Sequence, residues 1–200
     1  MPSALRHDCQ FQRHSIQAIH TLAGSPRRTE VEAFIRASFA QHYNASIPVL
    51  APNLMFLDED GRILAAAGWR AAGLQPLYLE RYLDQPIEKA VARLAGQPVS
   101  RERIVEVGNL AAGRPGSGIN VICALARDLD RQGFEWVVFT ATRALVGIFA
   151  RLGLPLLTLG VADPARLGPE ALAWGSYYET GPIVVAGRIR LALGRAARHE

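Results

Sequence analysis

The side chain best placed to do chemistry is Glu106, which stands between Val105 and Val107 in a β-rich run. A carboxylate inside a strand is costly to bury unless it is paired or protonated. Desolvation raises the pKa of such a group toward the range that suits a general base. On composition alone, however, an outward-facing glutamate on a half-exposed strand is the commoner arrangement. The two interpretations differ in whether Glu106 points into the protein.

A glycine-rich connection follows the same strand and leads into a predicted helix. It contains Gly113, Arg114, Gly116, Ser117 and Gly118. Backbone N–H groups and the positive end of the helix dipole make such a connection a potential anion site, and the glycines would let a pyrophosphate approach closely. The spacing fits neither a Walker loop nor a dinucleotide fingerprint. A flexible connection between strand and helix explains the pattern equally well.

Other polar side chains stand at or near the ends of predicted strands. Thr140 and Thr142 end one strand, where they would bind a substrate carboxylate or amine, or cap the next helix. Tyr177 and Tyr178 precede the last strand, either as reactive phenols or as aromatic residues that cover the core. The serines lie outside any Gly-x-Ser-x-Gly elbow and the histidines lack zinc-ligand spacing. Neither a serine nucleophile nor a metal site is therefore predicted.

The elements that would position these residues follow an α/β order, with a meander of strands first and alternating strands and helices afterwards. Hydrophobic periodicity predicts strands at 11–20, 54–57, 63–69, 103–111, 135–140, 154–159 and 183–189, and helices at about 29–43, 86–96, 119–129 and 145–152. Thr29 and Glu32 form the pattern of a capping box, and Asp60-Gly61 that of a tight hairpin turn. Gly108 inside its strand indicates a bulge. The helix after the glycine-rich connection is expected to bury Ile119, Ile122, Cys123, Ala126 and Leu129.

The composition is that of a globular protein. Half of the 200 residues are hydrophobic and 20% are charged, which excludes disorder, collagen and coiled coil, and one domain is expected. The net charge of +4 comes largely from four arginines that begin at Arg188, so a basic face for nucleic acid is not expected. The longest stretch without Asp, Glu, Lys or Arg, 37–57, contains two prolines and two asparagines and is not a membrane span. Without a signal-peptide pattern, a cytoplasmic location is expected.

Several motifs carry a resemblance to known families. The run EVGNLA from Glu106, the glycine-rich connection, and FEWVVFTATRALVGIFARLGLPLLTLG from Phe134 resemble the second half of the GNAT acyltransferase fold, in particular the acyl-homoserine-lactone synthases. In that branch the strand reads Glu-x-Ser-Arg, whereas here Gly108 and Asn109 occupy the last two positions. The hairpin DEDGRILAAAGWR resembles that branch's paired strands and places Arg70 at the matching arginine. Together, EVGNLAAG, WVVFTAT, RLGLP, ADPARL and WGSYY are similar to the family labelled thermostable haemolysin.

The resemblance implies a single GNAT-like domain over residues 1–200, with a core at about 25–190 and a basic tail at 191–200. The fold would be α/β, a mixed central sheet with splayed middle strands flanked by helices. The implied activity is that of an N-acyltransferase, which moves an acyl group, with a fatty acyl group favoured, from acyl-CoA or acyl carrier protein to the amine of a small metabolite or amino acid. No covalently bound cofactor is implied. The acyl carrier protein is a possible partner, whereas nucleic acid and stable membrane insertion are not expected.

The resemblance also implies roles for individual residues. Glu106 would take the proton of the amine, backbone N–H groups at Asn109 or Leu110 would polarise the thioester carbonyl, and Tyr178 would protonate the departing thiolate. The residues expected to hold the cofactor are Leu110, Gly113, Arg114, Gly116, Ser117 and Gly118. Those expected to bind substrate are Trp69, Arg70, Thr140, Thr142 and Tyr177. An acyl tunnel would draw on Leu110, Val138, Phe139, Leu145 and Phe149, although each is equally an ordinary core residue.

Two other interpretations stay open. The family label suggests a membrane-active haemolysin or lipid-binding protein without catalysis, against which the lack of a predicted membrane span counts. A GNAT-shaped binding module with an inactive site is the third. A lactone product is not expected, because the N-terminal Arg, Trp and Asp that hold adenosylmethionine in the lactone synthases have no evident counterparts in residues 1–50.

Overall fold

A seven-stranded mixed sheet forms the centre of the protein in a computed structural model, which describes residues 16–151 and 153–196. The strands are β1 Ile16–Thr21, β2 Asn53–Glu59, β3 Arg62–Ala71, β4 Ile104–Ala112, β5 Trp136–Ala141, β6 Leu157–Val161 and β7 Ile183–Arg188. Across the sheet they lie in the order β1-β2-β3-β4-β5-β7-β6. The predicted α/β fold class with a mixed central sheet is confirmed.

Helices cover the sheet on both faces. The α-helices are α1 Arg28–Tyr43, α2 Ile87–Ala95, α3 Ser117–Arg131, α4 Arg143–Arg151 and α5 Ile189–Ala196. Short 3-10 segments lie at Tyr78–Tyr82, which we call the 78–82 turn, at Arg101–Arg103, and at Pro164–Thr180. Within the described part of the chain, none of the helices combines the length and the apolar character needed to cross a bilayer.

The first half of the sheet is the predicted meander, in which β1 to β4 pair antiparallel in chain order. The hairpin between β2 and β3 turns at Asp60 and Gly61, whose φ angles are 52° and 85°. A two-residue turn that matches the twist of the strands needs positive φ at both positions, which Asp-Gly adopts readily. The Asp58 carboxylate accepts the N–H of Gly61 at 3.0 Å. The hairpin prediction is therefore confirmed.

Alternation along β2 assigns the two faces. Leu54 and Phe56 pack with α1, whereas Met55 and Leu57 pack with α3, as expected of a strand that is buried on both sides. The helix α3 buries Ser117, Val121, Leu125 and Leu129. The predicted inward stripe is thus rotated, since Ile119 is 39% exposed. Ile119, Ile122, Cys123 and Ala126 line a cavity instead.

Some local predictions are wrong. The capping box at Thr29 is absent, because α1 begins at Arg28 and Glu32 accepts from the Arg28 side chain at 2.6 Å. Strand β6 begins three residues later than predicted, and β1 covers 16–21, while 11–15 lie outside the described residues. Most of the predicted basic tail is α5, whose Arg190 pairs with Asp130 at 2.9 Å.

Candidate active site

The two central strands of the sheet part from each other halfway along. β4 and β5 run parallel and pair at Ile104–Trp136, Val105–Val137 and Glu106–Val138. Beyond these pairs β4 continues to Ala112 and β5 to Ala141, each held only by its outer neighbour, β3 or β7. The splayed middle strands that were predicted are therefore present, and Glu106 stands where they separate.

A β-bulge sits beside the opening. Gly68 of β3 pairs with Gly108, but Ala66 pairs with Ala111, so β4 carries one extra residue between them. Asn109 has a φ of 51°, in the left-handed region that asparagine tolerates better than most residues. The bulge was predicted at Gly108 and lies immediately after it, where Asn109 redirects the following backbone N–H.

Contacts from neighbouring segments hold this bulge in place. The Oδ1 of Asn109 accepts the N–H of Ala51 at 2.8 Å. A Cβ on Gly68 would lie 2.7 Å from the Cβ of Ala51 and 3.0 Å from Asn109 Oδ1, so only glycine fits between the strand and the loop before β2. The side chain of Asn109 is thus structural, and the residue lines the cavity at the opening.

Glu106 points into the protein, and its side chain is only 11% exposed. Its Oε2 accepts the N–H of Tyr78 at 2.7 Å, its Oε1 accepts the N–H of Leu79 at 3.1 Å, and Nε of Arg70 lies 3.5 Å from Oε2. Burial raises the pKa of Glu106, and the charge of Arg70 and the two N–H groups oppose this without cancelling it. The outward-facing interpretation of Glu106 is wrong.

The two N–H groups that hold Glu106 come from the 78–82 turn, which no sequence motif predicts. In the 78–82 turn, Glu80 accepts the N–H of Leu77 and of Ile87, both at 2.9 Å. Arg101 donates to both Glu80 oxygens, at 2.7 and 2.8 Å, and to the carbonyl of Ala72 at 2.8 Å. Burial alone would raise the pKa of Glu80, but these hydrogen bonds outweigh it and lower the pKa to about 2.

A cavity of about 870 Å³ opens at the parted strands and is lined mainly by apolar side chains. Its lining near the 78–82 turn is aromatic: Phe39, Tyr43, Tyr78, Tyr82, Trp174 and Tyr177. Between α3 and α4 its lining is aliphatic or small, with Phe149 added: Ile119, Ile122, Cys123, Leu145, Ile148 and Phe149. The cavity therefore has two connected parts: an aromatic region that includes tyrosine hydroxyl groups, and an apolar region between α3 and α4.

The aromatic region contains a linked set of hydroxyl groups. The hydroxyls of Tyr82 and Tyr178 lie 2.6 Å apart, Trp174 Nε1 donates to the Tyr78 hydroxyl at 3.2 Å, and this hydroxyl donates to Glu170 at 2.8 Å. Burial is the main cause that raises the pKa of each of these tyrosines. The phenols are consequently neutral hydrogen-bonding groups, and Tyr82 is the member of the Tyr82–Tyr178 pair that lines the cavity.

The structure brings together seven of the predicted site residues at the cavity: Arg70, Glu106, Asn109, Leu110, Thr140, Thr142 and Tyr177. Tyr178 lies next to them through its bond to Tyr82. Thr142 also accepts the N–H of Leu145 at 3.3 Å, which is the helix-capping role considered as its alternative. Of the predicted tunnel residues, Leu110, Phe139, Leu145 and Phe149 line the cavity as well.

Trp69 does not join this group. As the neighbour of Arg70 in β3 it faces the other side of the sheet, where its ring packs edge-on against Phe134 with centroids 6.1 Å apart. Its buried Nε1 has no hydrogen-bond acceptor among the described residues. Its substrate-binding role is left as a prediction that the geometry does not favour.

The glycine-rich connection is tied to β3. Gly113 N–H and Ser117 Oγ both donate to the carbonyl of Leu64, at 2.9 and 3.0 Å, and Arg114 pairs with Glu59 at 3.1 Å. Gly116 precedes α3 with a φ of 84°, and Gly118 lies in its first turn. These five residues adjoin the α3 N-terminus but do not belong to the cavity lining, so phosphate binding by them stays a prediction. No group of three His, Cys, Asp or Glu side chains in residues 16–151 and 153–196 is arranged to hold a metal.

Three solved structures with this fold are named as synthases of acyl-homoserine lactones or N-acyl amino acids. The AHL synthase LasI is 15% identical and superposes with a TM-score of 0.59, over 90% of this chain and 94% of its own. FeeM, an N-acyl amino acid synthase from uncultured soil microbes, is 12% identical with a TM-score of 0.59, over 90% and 96%. BjaI, a CoA-dependent acyl-homoserine lactone synthase, is 14% identical with a TM-score of 0.59, over 90% and 87%. At these identities the likeness establishes the fold.

Sequence comparison gives the family. None of the curated proteins matches the chain. The sequence model described as thermostable hemolysin does match, over residues 21–193, which include the bulged strand, both sides of the opening and the aromatic region of the cavity. The chain belongs to the thermostable hemolysin family, and its fold is that of the acyl-homoserine-lactone and N-acyl amino acid synthases.

Proposed function

We propose that this protein is an N-acyltransferase that moves an acyl group from a thioester of coenzyme A or acyl carrier protein to the amine of an amino acid or another small metabolite. The observation that carries the proposal is the opening between β4 and β5, with a buried carboxylate at its base and a bulge on one edge. Unpaired strand edges can bind the amides of a pantetheine arm as an added strand would.

The reaction forms a C–N bond and breaks a C–S bond. Glu106 takes the proton from the attacking amine, directly or through one water, because its raised pKa suits a general base. Backbone N–H groups at Asn109 and Leu110 stabilise the oxygen of the tetrahedral intermediate. The proton held by Glu106 can then pass to the departing thiolate. Tyr82, which lines the cavity, assists that thiolate as a hydrogen-bond donor rather than as a strong acid, because burial raises its phenol pKa. Tyr178 acts through its hydrogen bond to the Tyr82 hydroxyl.

Arg70 favours an acceptor that carries a carboxylate. Its Nε faces Glu106, while its terminal guanidinium nitrogens have no acceptor among the described residues, and it lines the cavity. A guanidinium with free terminal N–H groups binds a carboxylate in a bidentate manner. An α-amino acid would thus have its carboxylate on Arg70 and its amine toward Glu106. Thr140 and Thr142, across the opening, are candidates for further polar contacts.

The test is mass spectrometry of purified protein given acyl-thioesters and pooled amino acids. We expect thioester consumption with an N-acylated product, and loss of at least about 100-fold in rate for Glu106→Gln, the usual scale for general-base removal. Glu102→Gln is the matched control, because Glu102 is exposed beside the start of the same strand. Melting curves confirm that each variant folds.

Two results would contradict the proposal. One is that no thioester is consumed and Glu106→Gln changes no product in cells. The other is dye release from liposomes by the purified protein with no thioester present, which the membrane-active interpretation of the family label predicts.

A further inference from the structure

The apolar part of the cavity extends past the opening to the outer half of the sheet. Its lining there consists of Val137, Leu154, Pro155, Leu156, Gly187 and Leu193. None of these side chains carries a polar group, so this end suits a hydrocarbon chain and contributes nothing to amine binding. It lies on the α3 face of the sheet, where Val137 and Leu193 pack with the α3 core.

Gly187 occupies an unusual place in this lining. In β7 it pairs with Val137, and its backbone lies in the ordinary extended region. A Cβ at this position would lie 3.2 Å from Cδ2 of Leu156 and 3.9 Å from Cγ1 of Val137. Because Gly187 has no Cβ, the side chain of Leu156 can pack directly against the backbone of β7. A methyl group there would push the half-buried Leu156 away from the sheet, toward the cavity.

We propose that Gly187 and Leu156 form the end wall of the acyl-chain site and determine the length of acyl chain that the protein accepts. This inference rests on the proposed acyl transfer. It implies a donor with a medium or long chain, because the wall is distant from the reacting carbonyl. Gly187 is level with Val137, which pairs with Val105, four residues before Asn109. At the rise of a β-strand this corresponds to about 13 Å, well beyond the reach of an acetyl group.

The magnitude of the effect follows from burial. Burying one methylene contributes about 0.8 kcal/mol, so each methylene that loses its place costs roughly 4-fold in kcat/KM. A methyl group at Gly187 shortens the site, whereas truncation of Leu156 lengthens it. The two changes act on the same space, so combining them should largely restore the wild-type preference.

The experiment measures kcat/KM for a series of thioesters from butanoyl to hexadecanoyl. Gly187→Ala should move the preferred chain to shorter acyl groups, with a loss of at least roughly 4-fold for the chain that wild type prefers. Leu156→Ala should move the preference to longer chains, and the double variant should return toward wild type. Gly160→Ala is the matched control in the adjacent strand, because its added Cβ would meet only Leu83, 3.5 Å away and outside the cavity lining.

A binding measurement separates this inference from the proposed function. Free fatty acids of the same lengths, ranked by how far they raise the melting temperature, report on the wall without turnover. A length shift in binding with no thioester consumed would support the wall and contradict acyl transfer. If Gly187→Ala, Leu156→Ala and wild type all turn over thioesters with the same dependence of kcat/KM on chain length, the end-wall proposal is wrong and the proposed acyl transfer still stands. Should Gly187→Ala fail to fold, Leu156→Ala decides, because removing side-chain atoms cannot clash.

Discussion

Replacing Arg101 with Met should destabilise the protein and misplace Glu106. Arg101 donates to both oxygens of Glu80, to Glu88 and to the carbonyl of Ala72. Methionine fills much of the same space but leaves the Glu80 carboxylate with only the N–H groups of Leu77 and Ile87. Since Glu80 belongs to the 78–82 turn, the two N–H groups that hold Glu106 should shift with it.

The expected loss is intermediate between that of a surface pair and that of a buried one. Side chains of Arg101 and Glu80 are 27% and 17% exposed. A hydrogen bond to a charged group contributes about 1.5–3 kcal/mol, and breaking a fully buried pair costs more, so we expect a loss of about 2–3 kcal/mol in the free energy of unfolding. For a chain of this size that corresponds to a decrease of roughly 4–12 °C in Tm.

The loss of stability caused by Arg101→Met should also become smaller as the pH falls. Glu80 has its pKa lowered from 4.5 to about 2, so its contribution to stability is complete above pH 4.5 and is lost as the pH falls toward 2. Arg101→Met has already lost most of that contribution at pH 7. The difference in Tm between wild type and variant should therefore narrow as the pH is lowered from 5 toward 2.

The matched control is Arg103→Met, in the same 3-10 segment. Arg103 pairs with Glu135 at 3.6 Å, and both side chains are more than half exposed, so its removal should cost only about 0–1 kcal/mol. Melting curves of both variants at pH 7 and at lower pH constitute the assay. The reasoning about Glu80 is refuted if the two variants have the same Tm at pH 7. It is also refuted if the Tm difference between wild type and Arg101→Met increases as the pH is lowered.

Two further predictions concern the bulge and the phenols. Gly68→Ala should lower the free energy of unfolding by about 1–3 kcal/mol, because the added methyl group overpacks against Ala51 and Asn109. The control is Gly194→Ala, which has open space in α5 and should be neutral or stabilising by up to about 1 kcal/mol. Thermal melts compare the two variants, and equal Tm values would contradict this prediction. All five tyrosines have a pKa raised above 10.0, mainly by burial, so the native protein should show less phenolate absorbance at pH 10 than the unfolded chain, and the stability they contribute should be lost as the pH rises above that value. Phenolate absorbance at pH 10 equal to that of the unfolded chain, with unchanged near-ultraviolet circular dichroism, would contradict this.

Local patterns allowed much of the sheet to be predicted. The Asp60-Gly61 turn, the strand around Glu106 and the final strand depend on periodicity and turn chemistry within a few residues, which the sequence displays directly. The capping box failed because Arg28 begins the helix and engages Glu32 itself, a competition between side chains that the Thr-x-x-Glu pattern does not reveal.

The environment of Glu106 could not be predicted in the same way. The N–H donors at Tyr78 and Leu79 lie 28 and 27 residues before it, in a 3-10 turn that has no periodic signature. Tyr82 and Tyr178 meet across 96 residues, and only the latter was selected from the sequence. Contacts of this separation depend on how the elements pack. Only the three-dimensional structure shows which of these side chains are buried around the same cavity.

The parted strands raise the question of why the sheet does not close. Pairing β4 and β5 to their ends would satisfy several backbone groups, each of which costs about 1–3 kcal/mol if buried without a partner. Closure is opposed by the bulge at Asn109, whose side chain accepts the N–H of Ala51, because the extra residue breaks the even spacing of N–H and C=O groups that a parallel ladder needs. The outer edges stay paired with β3 and β7, so only the inner edges face the cavity, and residues 107–110 of β4 are half-buried there. The close packing of Gly68, Asn109 and Ala51 therefore keeps the two strands apart. A ligand that carries amide groups would form the hydrogen bonds that the bulge prevents between β4 and β5.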